Sequence, residues 1–265
     1  SKVASMGLFC LLLFPLTVIP TLTFVPDKAE ERHQRIDWLD VFQVVRANPT
    51  LWRLLAADFS TNFASSATAA LYIFFATYIF ELPGHASTAL LLYFFAGFSA
   101  MPLWLKLAYK VGKTKAIQLA IGYGILLQSA LFLVAEPENV FMFWAYTFLY
   151  GVAYGAAPAL LRAMMADITD VDEIQTGKNR AGMFFALLTT VNKLGSAVAV
   201  GVVLTVADWV FGFVPGQVNS TSAISGLLMI YCFVPVLGLA LAYLPLMRYP
   251  LTKAKHEEIR RTLRA

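Results

Sequence analysis

Seven runs of about 20 residues, each nearly free of charge, alternate with polar connections along the chain. They fall at 3–25, 54–80, 87–105, 116–135, 140–161, 183–207 and 224–247. At 1.5 Å of rise per residue, about 20 helical residues cross the roughly 30 Å of hydrocarbon in a bilayer. Strand-type alternation is absent, which excludes a β-barrel, the other way to satisfy backbone hydrogen bonds in lipid. The connections at 81–86 and 136–139 are too short to hold a domain. The pattern therefore predicts an all-α polytopic membrane protein with seven transmembrane helices in one bundle.

The substantial polar stretch between the first two runs, 26–53, mixes five basic with five acidic residues and sets Ile36, Leu39, Phe42 and Val45 at steps of three. It reads as an amphipathic helix at the membrane face. Asn48-Pro49 ends it, because proline pushes the preceding residue out of the helical region. A linker between two halves of a transporter and a plain connecting surface helix fit equally well. The organisation is thus a first helix at 1–25, a linker at 26–53, a bundle at 54–247 and a basic tail at 248–265.

Composition removes the soluble alternatives. Of 265 residues 59% are apolar and 14% charged, and mean hydropathy is +0.68; an ordinary soluble domain has roughly 25% charged residues. The placement of the bases gives orientation. The stretches 26–53, 106–115, 162–182 and 248–265 carry 18 of the 20 lysines and arginines. Because such residues stay on the cytoplasmic side, the C-terminus is expected in the cytoplasm and the protein in the plasma (inner) membrane. The net charge of +4 and the pI near 9.0 are topology signals and point to no nucleic acid. Cys10 and Cys232 both lie in predicted spans with no partner at metal-ligand spacing, so no metal and no cofactor is expected. The sequon at Asn219 carries no weight without a glycosylating host.

Pro102, Pro158 and Pro235 lie inside predicted spans, close to Gly97, to Gly151 and Gly155, and to Gly238. Bent helices follow. Gly151 and Gly155 form a small-xxx-small pattern, read first as close helix packing and second as a gating hinge near Pro158.

Lys193 is the most informative residue. An ammonium near the bilayer centre costs about 3 kcal/mol or more on insertion scales and needs an acidic, carbonyl or water partner. Counting from residue 182, it lies roughly 16 Å deep, beside Thr189, Thr190, Asn192 and Ser196. That is a polar face suited to a solute pathway; the alternative is a structural lysine paired to a neighbouring helix. Asp58 is the one acid within a span, but counting from Arg53 it lies roughly 9 Å shallower than Lys193. Asn62 is better matched in depth. Asp58 also suits the plain role of an acid near a helix start.

Between the fifth and sixth runs, Asp167, Asp170, Asp172 and Glu173 precede Lys178 and Arg180. Acids at the end of one helix and bases at the start of the next suit an ionic latch, with Asp167, Asp170, Glu173, Lys178 and Arg180 as a cytoplasmic gate. A solvated charged loop is the plain alternative.

Residues 167–182 read Asp-x-x-Asp-x-x-Glu-x-x-Thr-Gly-Lys-x-Arg-x-Gly, followed by Phe184-Phe185-Ala186-Leu187 and Asn192-Lys193-Leu194-Gly195. With Asn48-Pro49, Leu54-Leu55-Ala56-Ala57-Asp58 and Gly112-Lys113-Thr114-Lys115, they resemble the melibiose-carrier-like glycoside-pentoside-hexuronide:cation symporters of the major facilitator superfamily. The resemblance implies that the first span is that family's sixth helix and the other six its C-terminal half, with a missing N-terminal half as partner. It also implies symport of a sugar or related small solute with H+ or Na+, by alternating access around a central site that includes Lys193. The family's coupling carboxylates belong to the N-terminal half. Ala181 stands where many members have an acid, and Pro158 where sugar carriers can have an aromatic platform. Relatives that move lipids share much of the pattern.

Two other classes are weaker. A seven-helix receptor or photoreceptor shares the topology, but a retinal lysine belongs in the last helix. A prenyl-transferring enzyme holding magnesium needs a second Asp-rich cluster, so no enzyme activity is expected.

Overall fold

The computed structural model describes residues 2–24 and 44–250, so Ile36, Leu39, Phe42 and the tail from residue 251 lie outside the described part. The chain divides into two units, Ser1–Trp38 and Leu39–Ala265.

The first unit holds α1, Lys2–Phe24, with Pro15 and Pro20 inside it. Proline cannot donate to the helical ladder. Threonine hydroxyls add bonds to carbonyls around the two prolines: Thr17 donates to Leu13 and Phe14 (3.1 and 3.0 Å), Thr21 to Thr17 and Thr23 to Ile19 (2.9 Å each).

The second unit is a bundle of α2 (Pro49–Phe74), α3 (Ala86–Val111), α4 (Lys113–Val134), α5 (Val140–Tyr154), α6 (Ala156–Thr176), α7 (Ala181–Trp209) and α8 (Thr221–Met247). No strand occurs among the described residues. The helix starts follow local chemistry. The Asn48 side chain accepts from the amides of Thr50 and Leu51 (3.0 and 3.1 Å), with Pro49 supplying the pre-set first turn. Ser220 and Asn139 cap α8 and α5 in the same way. Between α3 and α4 the chain turns at one residue, Gly112, whose φ of 94° is open to glycine. A π-helical turn, Phe75–Ile79, extends α2.

Six segments of the described residues are long and apolar enough to cross a membrane: Gly7–Phe24, Pro83–Val111, Lys113–Val134, Val140–Thr176, Ala181–Trp209 and Thr221–Met247. The expected second span, 54–80, is helical but falls short of them in apolarity. One face of α2 carries Asp58, Thr61, Asn62, Ser65, Ser66 and Thr68, which lower its mean hydropathy while turning inward. A correction concerns 162–182. This stretch is not a loop, since α6 continues to Thr176 and stops at Gly177 with φ +67°. Together α5 and α6 make a 37-residue rod about 55 Å long, well beyond the bilayer core. It is interrupted only at Gly155, three residues before the Pro158 that cannot donate to Tyr154.

α2 packs most extensively on α7 and α8, and α3 on α5. The α3–α5 contact is set by glycine, because a Cβ on Gly151 or Gly155 would run into the carbonyl of Tyr93 or Gly97. Small-residue packing is therefore the role seen for this pair. Two apolar clusters close the ends of the unit. At the basic end Leu51, Leu54, Leu160, Leu161, Met164 and Phe184 pack together, with Val45 against them. At the other end Leu71, Phe75, Phe80, Phe143 and Tyr231 do so.

Candidate functional site

Between the clusters lies a cavity of about 430 Å³. Two helices line it with the same spacing. Asp58, Thr61, Asn62, Ser65, Ser66 and Ala69 on α2 recur at three- and four-residue steps, as do Phe185, Leu188, Thr189, Asn192, Lys193 and Ser196 on α7. Such steps put each set on one helix face. The faces are held close, since a Cβ on Gly195 would sit 2.6 Å from the Phe59 carbonyl oxygen. A second tie is the Ser66 hydroxyl, which donates to Ser196 Oγ at 2.9 Å.

These contacts also fix depth. They place Lys193 alongside the Phe59–Asn62 turn, so its offset from Asp58 shrinks from the expected 9 Å to about one helical turn, about 5 Å. Counting from charged chain ends misjudged it because α2 and α7 do not start at a common level. No direct ion pair follows. Asp58 is 4% exposed; its Oδ1 accepts from Asn62 Nδ2 at 3.2 Å, and that amide also donates to the Asp58 carbonyl at 2.8 Å. Asp58 Oδ2 has no hydrogen-bond partner among the described residues. The ion pairs among the described residues are Lys113–Asp167 and Arg180–Asp172, so Lys193 stands over the cavity without one.

The facing wall is aromatic and basic. Tyr93 of α3 lies 6.2 Å from Tyr150 and 5.2 Å from Tyr154, centroid to centroid, and α6 adds Pro158 and Arg162. Behind this wall Tyr146 stacks on Tyr150 (5.7 Å, 13°) and donates to Gln128 Oε1 at 2.7 Å. Gln128 in turn donates to the Tyr231 carbonyl at 2.5 Å. A buried, satisfied network of this kind holds the tyrosines in one arrangement before anything binds.

Of the residues expected from sequence, Asp58, Asn62, Thr189, Asn192 and Lys193 line this cavity; Thr190 does not, and its hydroxyl donates to Ala186. Sequence reasoning missed Tyr93, Tyr150, Tyr154 and Arg162. The signal was there in part: Tyr150 and Tyr154 are four apart, directly before Gly151 and Gly155. Arg162 ends an apolar run, so the sequence alone groups it with the polar stretch 162–182.

The charged residues of α6 and the α7 start sit at the basic end. Lys113, the first residue of α4, reaches both Asp167 oxygens (2.6 and 2.7 Å) and the Ala163 carbonyl (3.1 Å). Arg180 holds Asp172 with two bonds, at 2.9 and 2.5 Å, across the Gly177 turn. Asp170 is half-buried, and Glu173 and Lys178 are exposed. The acid that Arg180 takes is thus Asp172, the residue directly before Glu173 and two after Asp170. Tyr249 is buried beside this group, and burial together with the Asp167 carboxylate pushes its phenol above the ordinary range.

The sequence profile of the MFS/sugar transport protein family matches residues 2–253. Uncharacterized symporter YnaJ of Bacillus subtilis is 25% identical over 235 residues, which is 88% of this chain and 50% of that protein. Uncharacterized symporter YjmB of the same organism is 25% identical over 80% of this chain and 45% of its own length. Uncharacterized symporter sll1374 of Synechocystis sp. is 28% identical over 52% of this chain and 26% of its own length. The chain spans half the length, or less, of each of these relatives.

Proposed function

The chain belongs to the MFS/sugar transport protein family, and from that premise we propose that it forms the sixth helix and C-terminal half of a symporter moving a sugar or related small solute with H+ or Na+. The observation that carries the reading is the central cavity, in which the matched polar faces of α2 and α7 meet a tyrosine wall. A volume of about 430 Å³ is in the range of small-molecule sites. Lys193 and Asn62, with Asp58, Thr189 and Asn192, would line the solute's path. In this reading the basic end faces the cytoplasm, and the missing N-terminal half supplies the opposite wall and the cation site.

Asp167, Asp170, Glu173, Lys178 and Arg180 then belong to a cytoplasmic gate, with Lys113 and Asp172 as their partners. Ion pairs at such a rim hold one arrangement and exchange partners in another. Supporting this is their position: one pair ties α4 to α6, the other ties α6 to α7. Thr190 is placed next to the path and outside its lining.

The test is accumulation of labelled solute by the complete transporter in proteoliposomes. Screening a sugar and glycoside panel under an imposed H+ or Na+ gradient should give gradient-dependent uptake for at least one solute. Equal uptake with and without the gradient for every transported solute would contradict symport.

A further inference from the structure

Resting on the reading of this chain as half of a symporter, we propose that Asp58 is a proton-binding site of the C-terminal half, separate from the cation site of the missing half, and that its proton decides whether Arg162 is free. Asp58 is the only acid of α2 and borders the cavity. Its Oδ1 takes the Asn62 amide, while Oδ2 is buried with no partner among the described residues. This chain's own residues enclose that oxygen, so a group from the missing half does not reach it as it stands. As a carboxylate, Asp58 would keep a charged oxygen away from water, donors and cations, an arrangement that membrane interiors penalise. As a carboxyl it leaves only a neutral hydroxyl unpaired, a smaller cost.

The charges that can balance the anion are few. From α6 comes Arg162 and from α7 Lys193, both on the cavity lining and both outside ion-pair distance of Asp58; Arg162 is close enough to act on it through the field. α8 carries no charged residue: its Tyr243 packs in the basic-end cluster, its Tyr231 and Cys232 in the other. On α2 itself Arg53 donates to the Arg248 carbonyl. The site suits H+ better than a metal cation. Asn62 turns its nitrogen to Asp58, because both of its partners there are acceptors, so its oxygen is lost as a metal ligand, and two resident cations oppose a third. Release is a simple transfer: the proton passes from the carboxyl to cavity water, and the anion left behind draws the Arg162 guanidinium into a pair. Once paired, that fork has fewer N–H groups for a solute, and protonation frees them. Proton and solute thus raise each other's affinity, as symport requires.

Infrared titration of the purified complete transporter, without solute, reads H+ binding directly. The parent is expected to show a carboxylic-acid C=O band that titrates with pH and is missing from Asp58→Asn. In Arg162→Gln the midpoint of that band moves to higher pH by about one unit or more, tenfold in proton affinity, because the anion has lost its counter-charge. Arg162→Lys restores part of the shift, and exchanging K+ for Na+ at constant ionic strength leaves the midpoint in place. Should Asp58→Asn fail to fold, the Arg162→Gln shift, which must appear in one of the parental bands, decides. Identical bands in parent and Asp58→Asn, a midpoint unmoved by Arg162→Gln, or a midpoint lowered by Na+ would each overturn the proposal. Gradient-driven uptake with a silent Asp58 would remove the proton site and leave symport standing, whereas a titrating Asp58 without gradient-driven uptake would do the reverse.

Discussion

Lys193→Ala in the complete transporter is expected to reduce gradient-driven uptake at least about 100-fold, about 2.7 kcal/mol of lost stabilisation along the transport cycle, while leaving membrane insertion and thermal stability at parental levels. The asymmetry comes from its surroundings. A lysine that held the bundle together would have bonds to lose, and its removal would destabilise by several kcal/mol, as when a buried pair is broken. Lys193 is exposed over the cavity and makes no ion pair among the described residues. Removing it takes a charge out of the membrane without stranding a partner there. Parental uptake by the alanine variant would remove Lys193 from the pathway. A large fall in melting temperature would return it to a structural role.

The opposite profile is expected for Gly155→Leu. A Cβ at residue 155 meets the Gly97 backbone carbonyl, and the reciprocal contact at Gly151 meets that of Tyr93. Neither obstacle is the flexible end of a side chain, so α3 and α5 must separate. Separation would also break the Trp104 Nε1 bond to the Val152 carbonyl, 2.8 Å long. It would pull Tyr93 from Tyr150 and Tyr154. Overpacking of this kind costs about 3 kcal/mol or more when backbone has to move. The expected result is little monodisperse protein in detergent and no uptake. By contrast Gly122→Leu, where nothing lies within 4 Å of the added Cβ, should yield protein normally. Equal yields from the two variants would contradict the packing account.

Hydropathy made the helices legible, and it failed where the site is. α2 reads less apolar than its neighbours because Asp58, Asn62, Ser65 and Ser66 face a cavity rather than lipid, so a weak span was itself a pointer to function. The acids at 167–173 looked like a loop for the same reason: polar residues end a membrane run without ending a helix. Only Gly177, free to adopt positive φ, ends α6. Depth was the least legible quantity. It depends on the α2–α7 register, which Gly195 against Phe59 and Ser66 against Ser196 decide, and no count along one helix contains that. The tyrosine wall was hidden because Tyr93, Tyr150 and Tyr154 count as apolar in any window, and their meeting depends on the close α3–α5 approach. Arg162 is the instructive case, since a base at the end of a run is ordinarily a topology signal. Its place on the lining appears only when α6 is seen to continue past it.

The central claim is that one face of α7 borders an aqueous path while the outer surface of α4 faces lipid. A charged, membrane-impermeant thiosulfonate tests it most directly, applied to vesicles of both orientations containing the complete transporter. With Cys10 and Cys232 replaced by Ala, Thr189→Cys on the cavity lining should be modified from at least one side. Leu126→Cys, on an exposed apolar position of α4, should stay unmodified until detergent is added. Modification of Leu126→Cys together with silence of Thr189→Cys from both sides would contradict the account.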